Sequence, residues 1–198
     1  MTDTAPPLAP NPSALDFLLT RRSRPPRLLG AEVPDDDTLR MMLRAAVRVP
    51  DHGKLEPWRL LVLRRAAIER LAALTRSRGA DLGLLLERIE KDASAYDESQ
   101  LIVAVVLVPK TSDKVPEAEQ QASAACVCMG LVNAALASGW GASWLTGWRA
   151  TDRPFLTQGL NLSPHESVMG FIHIGREARV PPERPRPALD ALTTWVDE

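Results

Sequence analysis

The stretch from Lys114 to Gly147, KVPEAEQQASAACVCMGLVNAALASGWGASWLTG, limits what the rest of the chain can build. Pro116 suits a first helical position, Glu117 and Glu119 complement the positive end of the helix dipole, and Gly139 suits a C-terminal cap. These signals predict a helix of about six turns, roughly 35 Å long. Between Ala122 and Ala137 no residue is charged, and only Ser123 and Asn133 are polar, so the helix is expected to be buried on every side. Ala122, Ala124, Ala125, Gly130, Ala134, Ala135 and Ala137 are small enough to admit close neighbours. One domain offers little material to enclose such a helix, and a second subunit is expected to cover one face.

Residues 1–12 carry Pro6, Pro7, Pro10 and Pro12 with almost no large apolar side chains, and are read as a disordered lead-in. Residues 13–198 are read as one domain, with 177–198 as an extended arm. Ser13 with Asp16 is expected to cap a helix running to Arg21, and Pro25 and Pro26 end helical structure after Arg21-Arg22-Ser23. A second helix begins at Asp35, Asp36 or Thr38 and stops before Pro50. The loop Asp51-His52-Gly53-Lys54-Leu55-Glu56-Pro57 leads into a strand at 58–63, and helices are expected at 66–76 and 82–92. The valine-rich run 101–108 suits a central strand buried on both faces. Further strands are read at 142–146 and 167–175, a short helix at 152–159, a polyproline-like arm over 181–187 and a short helix ending near Trp195. Helices first and four scattered strands, without regular βαβ units, predict an α+β fold: a central antiparallel or mixed sheet flanked by helices. No dinucleotide-binding glycine motif follows a strand.

A chain of 198 residues with net charge -1 has no general phosphate-neutralising surface, which argues against nucleic acid as a partner. The 16-residue uncharged run is shorter than the roughly 20 residues that cross a bilayer, and no signal peptide is evident, so a soluble cytoplasmic protein without a membrane partner is expected. Cys126 and Cys128, two apart on a helix, point to different faces as packing residues of a reducing compartment. His52, His165 and His173 have no metal-ligand spacing, so no metal is expected.

Arg21, Arg22 and Ser23 combine two guanidinium forks with a hydroxyl, a set suited to a phosphate monoester; basic residues at a helix C-terminus also simply favour its negative end. Arg48 and His52 bracket a tight turn and suit convergence on one ligand, or else a salt bridge and a surface histidine. His173, alternating with Phe171 in a strand, reads as a hydrogen-bonded structural residue. Trp140, Trp144 and Trp148 among glycines, with Thr146 on the same side as Trp144, suit either a flat ring ligand or core packing. Ser23, Ser143 and Ser163 lack a G-x-S-x-G elbow, neither cysteine has a local activating partner, and nothing reads as a hydrolase.

In order along the chain, Arg21-Arg22-Ser23, Arg48-Val-Pro-Asp-His52-Gly-Lys-Leu-Glu-Pro57-Trp58, Lys114-Val-Pro with Glu119-Gln120, Gly139-Trp-Gly-Ala-Ser-Trp144-Leu-Thr146-Gly147 and Gly170-Phe-Ile-His-Ile-Gly175 resemble the nitroreductase family. The likeness is strongest to its branch of small FMN-dependent NAD(P)H nitroreductases and spans about residues 15–176. The resemblance implies an intertwined homodimer with FMN sites at the subunit interface. Arg21, Arg22 and Ser23 match phosphate and ribityl contacts from one subunit, and Arg48 and His52 match flavin contacts from the other. Trp144, Leu145 and Thr146 match the segment along the flavin. Ala134, Ala135, Leu136, Ala137, Ser138 and Gly139 match a stretch assigned to NAD(P)H in the close branch, and Arg176 stands where larger relatives place a basic phosphate contact. Pro25 and His52-Gly53 replace a basic residue and an asparagine of larger relatives. The implied chemistry is ping-pong hydride transfer from NADH or NADPH through flavin N5 to a nitroaromatic, quinone or similar small acceptor, with no catalytic side chain. A flavin dehydrogenase using another donor, and a non-catalytic flavin binder, are the alternatives.

Overall fold

The alternation of side chains along the strand β2, Leu101–Leu107, divides the molecule into two layers of core. Leu101, Val103 and Val105 face one apolar cluster, and Ile102, Ala104 and Val106 face another, so the uninterrupted apolar run serves both sides of one strand. Residues 8–197 are described by the computed structural model. Of the expected lead-in, residues 1–7 lie outside that range, and residues 8–11 are exposed.

β2 pairs with β1, Trp58–Arg64, and with β4, Ser167–Gly175, whose other edge pairs with β3, Gly141–Leu145. All three pairings are antiparallel, which removes the mixed alternative. Helices α2, Asp36–Ala46, and α5, Glu117–Ala137, cover one face of the sheet. The other face carries α3, Arg65–Asp81, α4, Leu86–Asp97, and α6, Arg153–Leu160.

Several boundaries move for identifiable reasons. α1, Pro12–Thr20, is capped by Asn11, whose Oδ1 accepts from the Ala14 amide at 3.1 Å, rather than by Ser13 or Asp16. α3 continues past Arg76, because Gly79 lets Ile89 of α4 approach to where a Cβ would stand 2.7 Å away. Arg76 also bridges to Glu90 at 2.9 Å and to Asp97 at 2.7 Å, so tertiary contacts hold a polar turn helical until Gly83 ends it at φ +66°. The expected final helix is a single 3-10 turn, Leu189–Ala191, and Trp195 is exposed.

The central expectation is half met. Gln120, Ser123, Ala124, Val127, Cys128, Leu131, Val132 and Ala135 of α5 are buried in the chain's own core, whereas Ala118, Ala122, Cys126, Met129 and Ala137 are exposed. Uniform hydrophobicity hides the orientation of a helix, and one chain supplies neighbours for only one side. Pro116 caps α5 from outside with extended backbone, ψ 150°, so the helix is 21 residues, about 30 Å. That is long enough to cross a membrane, yet Gln120 is tied to Lys110 and Ser123 to Pro50, which marks a helix built into a protein core.

His173 is buried under Ser99, whose hydroxyl lies 2.6 Å from Nδ1, as expected of a structural histidine. Burial, aided by nearby Arg149, pulls its pKa from 6.5 down to about 3. The unfolded chain thus takes up a proton below about pH 6.5 that the folded chain refuses, and stability falls as pH drops from 6.5 toward 3. The slope approaches about 1.4 kcal/mol per pH unit, so roughly 2 kcal/mol is lost by pH 5. The Glu166 carboxyl, held at about 2 by Arg59, adds loss in the same direction at lower pH. Melting temperature should fall between pH 6.5 and 4, and H173Q, less stable at pH 7, should show a flatter decline; an equal slope in the variant would refute the assignment.

Candidate functional site

The residues singled out in the sequence gather at two places, one near each end of α5. Arg21 terminates α1 by donating its amide to the Phe17 carbonyl at 2.8 Å; Pro25 is extended at ψ 152°, and Pro26–Leu28 then form a single 3-10 turn, so helical structure resumes briefly where Pro25 and Pro26 were expected to end it. This segment is stitched to the sheet. Arg24 N donates to the Ala142 carbonyl of β3 at 2.8 Å, Gly30 N to Arg176 O at 2.7 Å and Arg176 N to Glu32 O at 2.8 Å. Arg21, Arg22 and Ser23 are thereby fixed beside the edge strand that carries Trp144. The Arg21 guanidinium donates to Ser23 Oγ at 3.0 Å and that of Arg22 to Ser23 O at 3.2 Å. Both keep a buried Nε with no hydrogen-bond partner among the described residues.

Arg24 pairs with Glu177, and Arg186 from the C-terminal arm reaches the Arg21 carbonyl at 3.4 Å. Burial first, then the charges of Arg186, Arg22 and Arg24, pull the Arg21 pKa below its ordinary value. Four guanidiniums around buried, unsatisfied N–H donors form a cradle for an anion, and a phosphate monoester matches the donor set. The sequence reading missed Arg24 and Arg186; the run Pro185-Arg186-Pro187, which fixes an arginine on a stiff extended segment, was the available signal. Arg176 is committed elsewhere, paired with Glu32 at 2.7 Å and stacked 4.0 Å over the Trp140 ring.

Trp144 lies half-exposed across Gly170, where the indole fills the space a side chain would take, and its Nε1 donates to Met169 O at 3.1 Å. Leu145 is half-buried and Thr146 exposed, and Gly147 turns the chain at φ +100°. Beyond it the Trp148 Nε1 donates to Asp92 at 2.9 Å, and buried Arg149 pairs with the same carboxylate at 3.0 Å, which pins the strand end.

Arg48 and His52 lie near the opposite end of α5. The Ser123 hydroxyl bonds to the Pro50 carbonyl, and His52 Nδ1 meets Glu119 Oε2 at 2.9 Å above a cavity of about 210 Å³ that also includes Cys126. Asp51 accepts from the amides of Leu55 at 3.1 Å and Glu56 at 3.0 Å, holding the loop although Lys54 and Glu56 sit at positive φ. Arg48 is exposed and its side chain pairs with none of the described residues. From Glu119 to Gly139 is about 30 Å along the helix, so a single chain does not bring Arg48 and His52 to Arg21. Of the stretch Ala134 to Gly139, Ala135 is in the core, Ala134, Leu136 and Ser138 are half-buried, and only Ala137 and Gly139 are exposed, with Gly139 capping α5 at φ +76°.

The model of the Nitroreductase family matches residues 18–176. The chain is 32% identical over 162 residues to the Escherichia coli (strain K12) protein YdjA, provisionally named an NAD(P)H nitroreductase, covering 82% of this chain and 87% of that one. A nitroreductase-like family protein from Bacillus cereus has a TM-score of 0.78 at 17% identity, covering 97% of this chain and 100% of its own. A nitroreductase with bound FMN from Bacteroides fragilis has a TM-score of 0.73 at 19% identity, covering 94% of this chain and 100% of its own.

Proposed function

The chain belongs to the nitroreductase family, and on that premise we propose that it is an FMN-dependent oxidoreductase that uses NADH or NADPH to reduce an electron-poor small molecule such as a nitroaromatic or a quinone. The observation that carries this reading is the pair of buried, unpartnered guanidinium nitrogens on Arg21 and Arg22, beside a strand whose Trp144 offers a flat aromatic surface. FMN has the matching parts, a phosphate monoester at one end and a planar ring at the other. FMN held by these residues would supply hydride transfer at N5 between NAD(P)H and the second substrate, in the ping-pong order proposed here.

The chain's own residues bind and orient. Arg21, Arg22 and Ser23 hold the phosphate and ribityl chain, while Trp144, Leu145 and Thr146 line the ring. Arg48 and His52 come from a second copy. The bare apolar face of α5, with the separation of the two residue groups along it, supports a homodimer. Two such helices packed antiparallel lay the Arg48 and His52 end of one copy against the Arg21 end of the other. Glu119 then fixes the His52 ring so that its Nε2 faces the ligand. The exposed end of the stretch Ala134 to Gly139 is where NAD(P)H would enter. The assembly is read as a soluble cytoplasmic protein.

Purified protein should show flavin absorbance in the visible region, or take up added FMN. Anaerobic mixing with NADH and then NADPH should bleach it promptly with at least one. Bound flavin that neither donor bleaches would sink the NAD(P)H reading, and a chain that takes up no FMN would sink the flavin reading altogether.

A further inference from the structure

Beyond β4 the chain leaves the sheet as an arm with no helix or strand until Leu189, yet its path is fixed. Ala178 N donates to the Leu28 carbonyl at 2.8 Å and Arg179 to the Arg27 carbonyl at 3.2 Å, which ties the base of the arm to the segment that follows the twin arginines. Farther along, Arg186 Nη2 reaches both the Arg21 carbonyl, at 3.4 Å, and Glu183 Oε1, at 2.8 Å. We propose that this arm is a strap over the phosphate cradle: Arg186 supplies a third guanidinium to the phosphate, and Glu183 is the internal anion that the phosphate displaces. The inference rests on the flavin reading for the source of that phosphate.

Like charges do not gather on a strap without a counter-ion. Arg21, Arg22 and Arg24 already crowd one turn, and the arm adds a fourth cation rather than avoiding them. The segment beyond β4 also brings two carboxylates that make this tolerable, Glu177 on Arg24 and Glu183 on Arg186. The Glu183 carboxyl is held below its ordinary range by the Arg184 amide and by the charges of Arg186 and Arg22, so it remains an anion facing the cluster at neutral pH. A carboxylate offers one planar pair of oxygens, whereas a phosphate monoester carries nearly two charges and three acceptor oxygens. The unpartnered Nε atoms of Arg21 and Arg22 are donors that Glu183 leaves unused. Proline on either side of Arg186 keeps the strap extended, so exchanging one anion for another costs little reordering.

The test uses apo protein titrated with FMN and, separately, with riboflavin, which carries the same ring without the phosphate. R186Q should weaken FMN about tenfold, and E183Q should tighten it about two- to fivefold at low salt by removing the competitor. Riboflavin affinity should be the same in the wild type and both variants, which also shows that the pocket is intact. Unchanged FMN affinity in R186Q, unchanged or weaker FMN affinity in E183Q, or riboflavin shifting in parallel with FMN overturns the strap. If the wild-type chain takes up neither flavin, the flavin reading fails by itself and inorganic phosphate decides the strap. Phosphate should then raise the melting temperature of the wild type more than that of R186Q, and equal shifts reject it.

Discussion

Met129→Glu should yield a chain that folds, remains monomeric and holds no FMN. Met129 is 36% exposed on the outer side of α5, in line with Ala118, Ala122, Cys126 and Ala137, and it takes no part in the core between α5 and the sheet. A carboxylate there costs the isolated chain little. In a dimer that buries this face, two unpaired charges would be desolvated across a two-fold contact, a penalty of several kcal/mol that raises the dissociation constant about a thousandfold or more. Because Arg48 and His52 are separated from Arg21 by the length of α5, a monomer would retain only half of the flavin contacts. Sedimentation and visible absorbance, measured alongside far-ultraviolet circular dichroism, check the three outcomes together. A variant that remained a flavin-loaded dimer would refute both the interface and the shared site. Charges at Ala125 or Ala134, two of the small residues of α5, should cost folding, dimerisation and FMN together. Ala134 packs against the chain's own core, so a glutamate there confounds folding with assembly, which Met129 avoids.

Gly170→Val should expel the Trp144 indole. A Cβ at position 170 would stand 2.0 Å from Trp144 Nε1 and 2.4 Å from Cδ1, far inside contact distance. The ring must leave, giving up its hydrogen bond to Met169 O and uncovering the end of β4. Such overpacking costs about 1–3 kcal/mol of stability, and the surface proposed to line the flavin ring is lost with it. Flavin content should collapse while the chain still folds, and tryptophan emission should shift toward that of exposed indole. Trp144→Ala in the Gly170→Val background should recover most of the lost stability, because the clash disappears with the ring. Simple additivity of the two stability losses would show that the clash is not with Trp144. Gly170 faces Val105 just where the β2–β4 register shifts, so the glycine and the irregularity occur together under the indole.

The two-sided strand β2 and the turns at Pro25-Pro26 and Pro50 were legible because apolar runs and proline act locally. The α3 boundary was not: Ser77 and Gly79 weaken the helical signal after Arg76, and contact with α4 carries the helix on to Asp81. Among the candidate residues, Arg21, Arg22 and Ser23 could be read because their types and adjacency already describe an anion site. Arg186 could not, since nothing within a proline-rich arm says which part of the fold it crosses.

For α5 the sequence by itself determined that a helix forms, where it starts and stops, and that no side of it suits water. Those properties follow from caps, charge placement and side-chain polarity, which act within a few residues. It did not determine which side meets the sheet. A helix apolar all round has no moment to orient it, and the choice fell to Gly130, where α2 approaches so closely that a Cβ would lie 2.7 Å from the Ala46 carbonyl oxygen. Tertiary packing therefore buried one face of α5 and left the other bare, with the two halves of the candidate site at opposite ends of that face.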